Sequence, residues 1–235
     1  MKGLFVTGTD TDVGKTWITS LIAKQLRAEE RRVGAYKPAC SGAEQDQNGN
    51  QFWADIHALA EATDGEFPDE RICPQRFRAP LAPPVAAAAE GRTIDATLLR
   101  SGIDWWRNEV DGLLIEGVGG LLCPLTETET IADFAVDLGF PTLIVSRPAL
   151  GTINHTLLTL EVARQRGLHV VGVVLNHATS QQFDPEFIAS NAEQIERFGE
   201  TSVLGVCAFN EETLASAGSD VLAGSDWFSL FGCAE

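Results

Sequence analysis

The sequence predicts an α/β domain on three observations: short apolar runs, longer segments of helical period between them, and a glycine-rich turn joining the first run to the first helix. At 235 residues, 44% of them hydrophobic, the chain can bury a core without disulfide or metal staples. No internal repeat or low-complexity linker divides it, so residues 1–235 are expected to form a single domain.

The first strand is expected over 3–7, where Leu4, Phe5 and Val6 run without a polar break, as a strand covered on both faces requires. A helix over 15–30 follows, because Ile18, Leu21, Ile22 and Leu26 recur at i, i+3, i+4 and i+8 and form one stripe. A strand over 32–36 and a helix over 52–62 come next. Residues 63–92 hold five of the ten prolines and the least regular spacing, and an extended excursion over the surface is expected there. Beyond it the alternation resumes: helix 94–110, strand 112–115, helix 130–138, strand 142–146, helix 153–166, strand 170–175, helix 185–198 and strand 203–206. Residues 210–235 show little periodicity and give no element.

Composition excludes several classes of function. A net charge of −16 repels nucleic-acid phosphates and anionic membrane surfaces, so no nucleic acid or membrane partner is expected and any phosphate site must be local. No apolar run approaches the ~20 residues of a membrane helix. The amino-terminal run meets Thr7 and Asp10 too early for a signal peptide, so a cytoplasmic location is expected. Five scattered cysteines without a C-x-x-C pair read as thiols, mostly buried.

Gly8-Thr9-Asp10-Thr11-Asp12-Val13-Gly14-Lys15-Thr16 lies between the first strand and the first helix. Five residues separate Gly8 from Gly14, one more than in the usual phosphate loop, yet the residue types fit the chemistry. Backbone N–H groups from Asp12 to Thr16 sit at the positive end of a helix and can surround a β-phosphate, with Gly14 permitting close approach. Lys15 can bridge β- and γ-phosphates, and the Thr16 hydroxyl can bind Mg²⁺.

Four further clusters stand at or just after strand ends, where doubly wound sheets bind ligands. Lys37 and Ser41 follow the second strand, and Lys37 is one of only four lysines against 13 arginines. Glu116 ends the third strand before Gly117, Val118, Gly119 and Gly120, an oxygen ligand beside backbone that can approach a nucleotide. Asp55, on the 52–62 helix, is a second carboxylate for the same ion, since Mg²⁺ in phosphate sites takes one or two. Gly151-Thr152-Ile153-Asn154 opens a helix and offers a second anion-binding end, with Thr152 as a helix cap the plainer alternative. Asn176 and His177 end the fifth strand, where an amide can read an adenine edge or simply form a turn.

Together GTDTDVGKT, YKPACSG, EGVGG, LGTINH and the LN of the fifth strand, in that order, resemble the dethiobiotin synthetase family over residues 2–209. The resemblance implies a P-loop NTPase-like three-layer α/β domain with a mostly parallel sheet, acting as an ATP-dependent cyclo-ligase in biotin synthesis. It implies that 7,8-diaminopelargonic acid, CO₂ and ATP are the substrates, that Mg²⁺ is the cofactor, and that a homodimer carries its active sites at the subunit interface. Carried over to this chain, Thr16, Asp55 and Glu116 bind Mg²⁺, and Asp12, Val13, Gly14, Lys15, Thr16 and Trp17 surround the phosphates. Gly117, Val118 and Gly119 line the nucleotide, Asn176 and His177 meet the adenine, and an adenine loop falls near Ala208 and Phe209, where the family's usual proline is missing. Thr11, Lys37 and Ser41 face the diamine, Lys15 and Lys37 carry the catalysis, and Gly151, Thr152, Ile153 and Asn154 reach across to the substrate carboxylate in the partner's site.

Two rival classes share this plan. Switch ATPases of the partitioning and metallochaperone type carry an additional signature lysine where this chain has Asp10, which reverses the charge. Glutamine-dependent amide synthases need a glutaminase domain for which 235 residues leave little room.

Overall fold

The computed structural model describes residues 1–210, 222 and 224–233, and it centres on a seven-stranded sheet. Strand β1 (Lys2–Gly8) lies inside that sheet between β7 (Gly112–Gly120) and β8 (Thr142–Ser146). The order is completed by β2 (Val33–Tyr36) beyond β7, and by β9 (Val170–Asn176) and β10 (Val203–Cys207) beyond β8. All these pairs are parallel. One antiparallel strand, β11 (Gly232–Cys233), joins the start of β1 at Lys2 and Gly3, within the acidic end that gave no element. The carboxyl ends of β1, β2, β7 and β8 therefore share one edge, and the chain leaves β1 in the crevice where successive connections diverge.

Both faces of the sheet are covered because successive apolar residues point to opposite sides. Leu4, Val6 and Leu114 pack with Ile18, Leu21, Ile22 and Leu26 of α1 (Lys15–Ala28). Phe5, Leu113 and Ile115 pack on the other face with Ile131, Phe134 and Ala135 of α6 (Ile131–Leu138). That alternation produces the three-layer domain with a mostly parallel sheet that the sequence predicts. Helices α7 (Thr152–Gln165) and α8 (Pro185–Gly199) close the β8–β10 end through Leu160 and Ile195.

Two expectations fail. The 63–92 span is not an extended surface excursion: it forms α3 (Asp69–Ile72), β6 (Gln75–Phe77) and α4 (Pro83–Ala89), and buries Phe67, Ile72, Cys73 and Phe77. Pro68, at the N-cap of α3, and Pro83, at the first position of α4, start helices, where the missing N–H costs nothing. Strand β6 pairs with β3 (Ala39–Ser41), which continues the Lys37 segment past the main sheet.

The 94–110 helix is broken into α5 (Ala96–Ser101) and a 3₁₀ turn over Asp104–Asn108. The Tyr36 hydroxyl donates to Leu99 O at 2.7 Å and fills the space above Gly102, where a Cβ would lie 2.5 Å from it. The chain turns away there and seats the fully buried Trp106 against Phe67. Helix α2 (Ala54–Ala62) starts two residues later than expected, because Gln51–Phe52 form β5, paired with β4 (Glu44–Gln45). Among the described residues none of the five cysteines is in a disulfide, Cys40, Cys73 and Cys207 are buried, and no helix is long and apolar enough to cross a membrane.

Candidate active site

The loop between β1 and α1 is built on two left-handed residues, Asp12 (φ 56°) and Gly14 (φ 87°), and Gly14 is the N-cap of α1. No side chain caps that helix, so its first N–H groups face the crevice for an anion. Gly14 is required twice over. Its φ is costly for any side chain, and a Cβ would lie 2.0 Å from Asn176 Nδ2. That amide donates to Val13 O at 2.9 Å, while its Oδ1 is buried without a partner. Asn176 thus commits one amide N–H to the loop and leaves its Oδ1 as an unpartnered acceptor. Lys15 is buried and donates from Nζ to Asp10 O at 3.1 Å. Burial lowers its pKa, opposed by the charge of Glu116.

Lys37, Asp55, Glu116 and Thr16 meet beside this loop. Lys37 Nζ donates to Glu116 Oε1 at 2.6 Å and also binds Asp55, and Thr16 Oγ1 donates to the same Glu116 oxygen at 2.7 Å. Glu116 is fully buried because β7 runs on to Gly120, past the expected end at 115. Burial works against the Lys37 ammonium, but the two facing carboxylates outweigh it and raise the pKa above the ordinary lysine value. Asp55 is held below the usual carboxylate range: burial pushes it up, and Lys37 more than reverses this. The pair is therefore charged throughout the neutral range.

The cluster floors a cavity of about 640 Å³. Of the residues singled out by sequence, Thr11, Asp12, Gly14, Lys15, Thr16, Lys37, Ser41, Asp55, Glu116, Val118 and Gly119 line it. Val13 is buried behind the loop, Gly117 faces Ile131 and Phe5, and Trp17, Asn176, His177, Ala208 and Phe209 are absent from the wall. Sequence reading missed Glu44, Cys40, Cys123 and the Pro80–Leu81–Ala82 wall. The last lies in the proline-rich span, whose irregular spacing concealed its fold.

Gly151, Thr152, Ile153 and Asn154 do not line this cavity either. Gly151 caps α7 in a left-handed conformation, φ 92°, with open space where a Cβ would be. Thr152 is not the helix cap: its hydroxyl meets Ser146 Oγ at 2.9 Å, so the first N–H groups of α7 have no side-chain cap. Around this start Leu150 is 91% exposed, Leu158 58% and Leu122 56%.

A hard divalent cation fits the cluster. Glu116 Oε2 is buried with no partner, Thr16 Oγ1 and Asp55 supply oxygen only, and two carboxylates are what Mg²⁺ uses where phosphate and water complete its shell. Among the described residues no group of three His, Cys, Asp or Glu forms a metal cage, so a cation here would be shared with a nucleotide.

Residues 2–216 match the family described as an AAA domain. The chain is 45% identical over 193 residues to the ATP-dependent dethiobiotin synthetase BioD of Anaeromyxobacter sp. (strain Fw109-5), covering 82% of this chain and 84% of that protein. It is 38% identical over 206 residues to the ATP-dependent dethiobiotin synthetase BioD of Bacillus subtilis (strain 168), covering 88% and 87%. Among solved structures, the cell division ATPase MinD of Pyrococcus furiosus superposes with a TM-score of 0.51 at 16% identity, covering 98% of this chain and 97% of that one. The ParA family ATPase from Chlorobium tepidum TLS gives 0.52 at 15%, covering 96% and 92%. At such identity these two share the fold alone. In this chain Asp10 is salt-bridged to Arg147 at 3.2 Å.

Proposed function

The chain belongs to the ATP-dependent dethiobiotin synthetase family, and from that premise we propose that it closes the ureido ring of dethiobiotin from 7,8-diaminopelargonic acid, CO₂ and ATP. The observation that carries the reading is the single cavity in which the phosphate loop, Lys37, Asp55 and Glu116 converge. One amine captures CO₂ as a carbamate, the γ-phosphoryl group passes to a carbamate oxygen, and the second amine displaces phosphate to close the ring.

Each of those steps gathers negative charge on oxygen. Lys15, lifted off Asp10 O, is suited to the β- and γ-phosphates, and the first N–H groups of α1 to the β-phosphate. Lys37, charged where it sits against Asp55 and Glu116, is suited to act as a fixed charge facing the carbamate, a positioning and electrostatic role without covalent attack. Thr16, Asp55 and Glu116 would hold Mg²⁺, which when bound neutralises phosphate charge. Thr11 and Ser41 line the diamine side, Asp12, Val118 and Gly119 the nucleotide, and the buried Oδ1 of Asn176 can accept from an adenine amino group.

The enzyme works as a homodimer in this reading. Gly151 to Asn154 are outside their own chain's cavity, and the exposed leucines beside them fit a two-fold contact that brings the α7 start to the partner's site. There its uncapped N–H groups meet the substrate carboxylate.

ADP release from ATP should require the diamine, CO₂ and Mg²⁺ together and give dethiobiotin by mass. Release driven by glutamine, or unaffected by the diamine, would overturn the assignment.

A further inference from the structure

Ser146 ends β8, is fully buried, and gathers three hydroxyls around its own. Its Oγ lies 3.2 Å from Thr9 Oγ1 of the phosphate loop, 2.9 Å from Thr152 Oγ1, and accepts from Thr156 Oγ1 at 3.0 Å. A serine hydroxyl offers one proton and two lone pairs, so three partners saturate it. Thr152 and Thr156 stand four apart on one face of α7, and Thr9 follows β1, so a single oxygen joins the loop to the helix.

The two ends of this network are secured unequally. The phosphate loop has other ties to the same strand end: Thr9 N donates to Val145 O at 3.0 Å, and Arg147 binds Asp10 at 3.2 Å. The start of α7 has no side-chain cap, and nothing lies within 4 Å of the Gly151 Cβ position. Among the described residues, its first turn is hydrogen-bonded to the sheet through Thr152 and Thr156 at Ser146.

We infer that Ser146 is a positioning residue: its hydroxyl fixes the start of α7 relative to the phosphate loop and thereby sets the affinity for the substrate's carboxylate. This rests on the assignment of the α7 start to that carboxylate. Because the loop keeps its other ties, loss of the hydroxyl acts on the diamine and spares the nucleotide.

Steady-state kinetics on five variants test it. Ser146→Ala and Thr152→Val should each raise KM for the diamine about tenfold, the scale of one buried hydrogen bond, with KM for ATP and kcat changed about twofold or less. Thr152→Ser keeps the hydroxyl and should raise KM for the diamine clearly less than Thr152→Val does. Thr156→Val leaves the Ser146–Thr152 bond in place and should shift KM less than Thr152→Val. A lowered melting temperature without the split between the two KM values would show a purely structural role and overturn the inference, as would an equal rise for ATP. Gly151→Phe separates the layers. If it raises the diamine KM while Ser146→Ala and Thr152→Val do not, Ser146 loses its role and the α7 assignment stands; if none does, the α7 assignment falls and takes the inference with it.

Discussion

Helices α1 and α7 begin alike and end up in different surroundings. Each follows a parallel strand, each has a left-handed glycine as N-cap, Gly14 at φ 87° and Gly151 at φ 92°, and neither has a side-chain cap. The α1 start is enclosed, with Asn176 Nδ2 where a Gly14 Cβ would be and Lys15 buried beside it. The α7 start is open, with nothing near Gly151 and Leu150 in solvent. Uncapped N–H groups make both starts anion sites in principle. Enclosure with a buried cation suits a polyphosphate held within one chain, whereas an open start beside exposed leucines suits a ligand completed by a second chain.

Substitutions at the enclosed start should have the largest effects. Lys15→Gln should abolish turnover and weaken ATP binding, because an amide cannot offset charge on the β- and γ-oxygens. Calorimetric titration with ATP checks it, and unchanged binding would remove the phosphate-loop assignment.

Lys37→Gln comes next. Its kcat should fall about 100-fold, the scale of one lost preorganised donor, while ATP affinity stays close to wild type. A collapse in ATP affinity with kcat preserved would move Lys37 to the nucleotide.

The open start should respond more gently. Gly151→Phe should raise the diamine KM roughly tenfold, within the range of a partly buried helix-terminus contact, and leave ATP binding alone. The new ring projects into open space in its own chain, so the effect would come from ligand or partner.

The smallest effect belongs to a helix start with a complete cap. Thr130 and Asp133 form a capping box at α6, and Asp133 is pulled down to about 2 by hydrogen bonds from Thr130 first and then by Arg166. Thr130→Ala should cost about 1 kcal/mol of stability and leave both KM values unchanged. The depressed carboxyl stabilises the fold above its unfolded pKa of about 4, and that contribution is lost as pH falls towards 2. The gap between wild type and variant in denaturant midpoints should therefore narrow over that interval.

The enclosed start was legible because its chemistry is written contiguously: one loop, one lysine, one hydroxyl, after one apolar strand. Glu116, Asp55 and Lys37 were identifiable as residues but not as a contact. Their ion pairs span 79 and 18 positions and follow from β7 standing between β1 and β2, which no local period encodes. The Gly102 break was hidden for a related reason, since Tyr36 reaches it from another strand. The proline-rich span misled because proline starts helices as readily as it ends them, so the Pro80–Leu81–Ala82 wall was lost. Ser146 gave no signal, being a small polar residue whose three partners come from the loop and the helix.

Mixing two impaired variants tests most directly whether the two helix starts of one site come from different chains. A Lys37→Gln and Gly151→Phe heterodimer would carry both defects in one site and neither in the other. Random exchange should then restore about one intact site in four, a statistical expectation for a two-fold dimer, seen as recovered ADP release at low diamine concentration. No recovery after demonstrated subunit exchange would mean that each site is completed within a single chain.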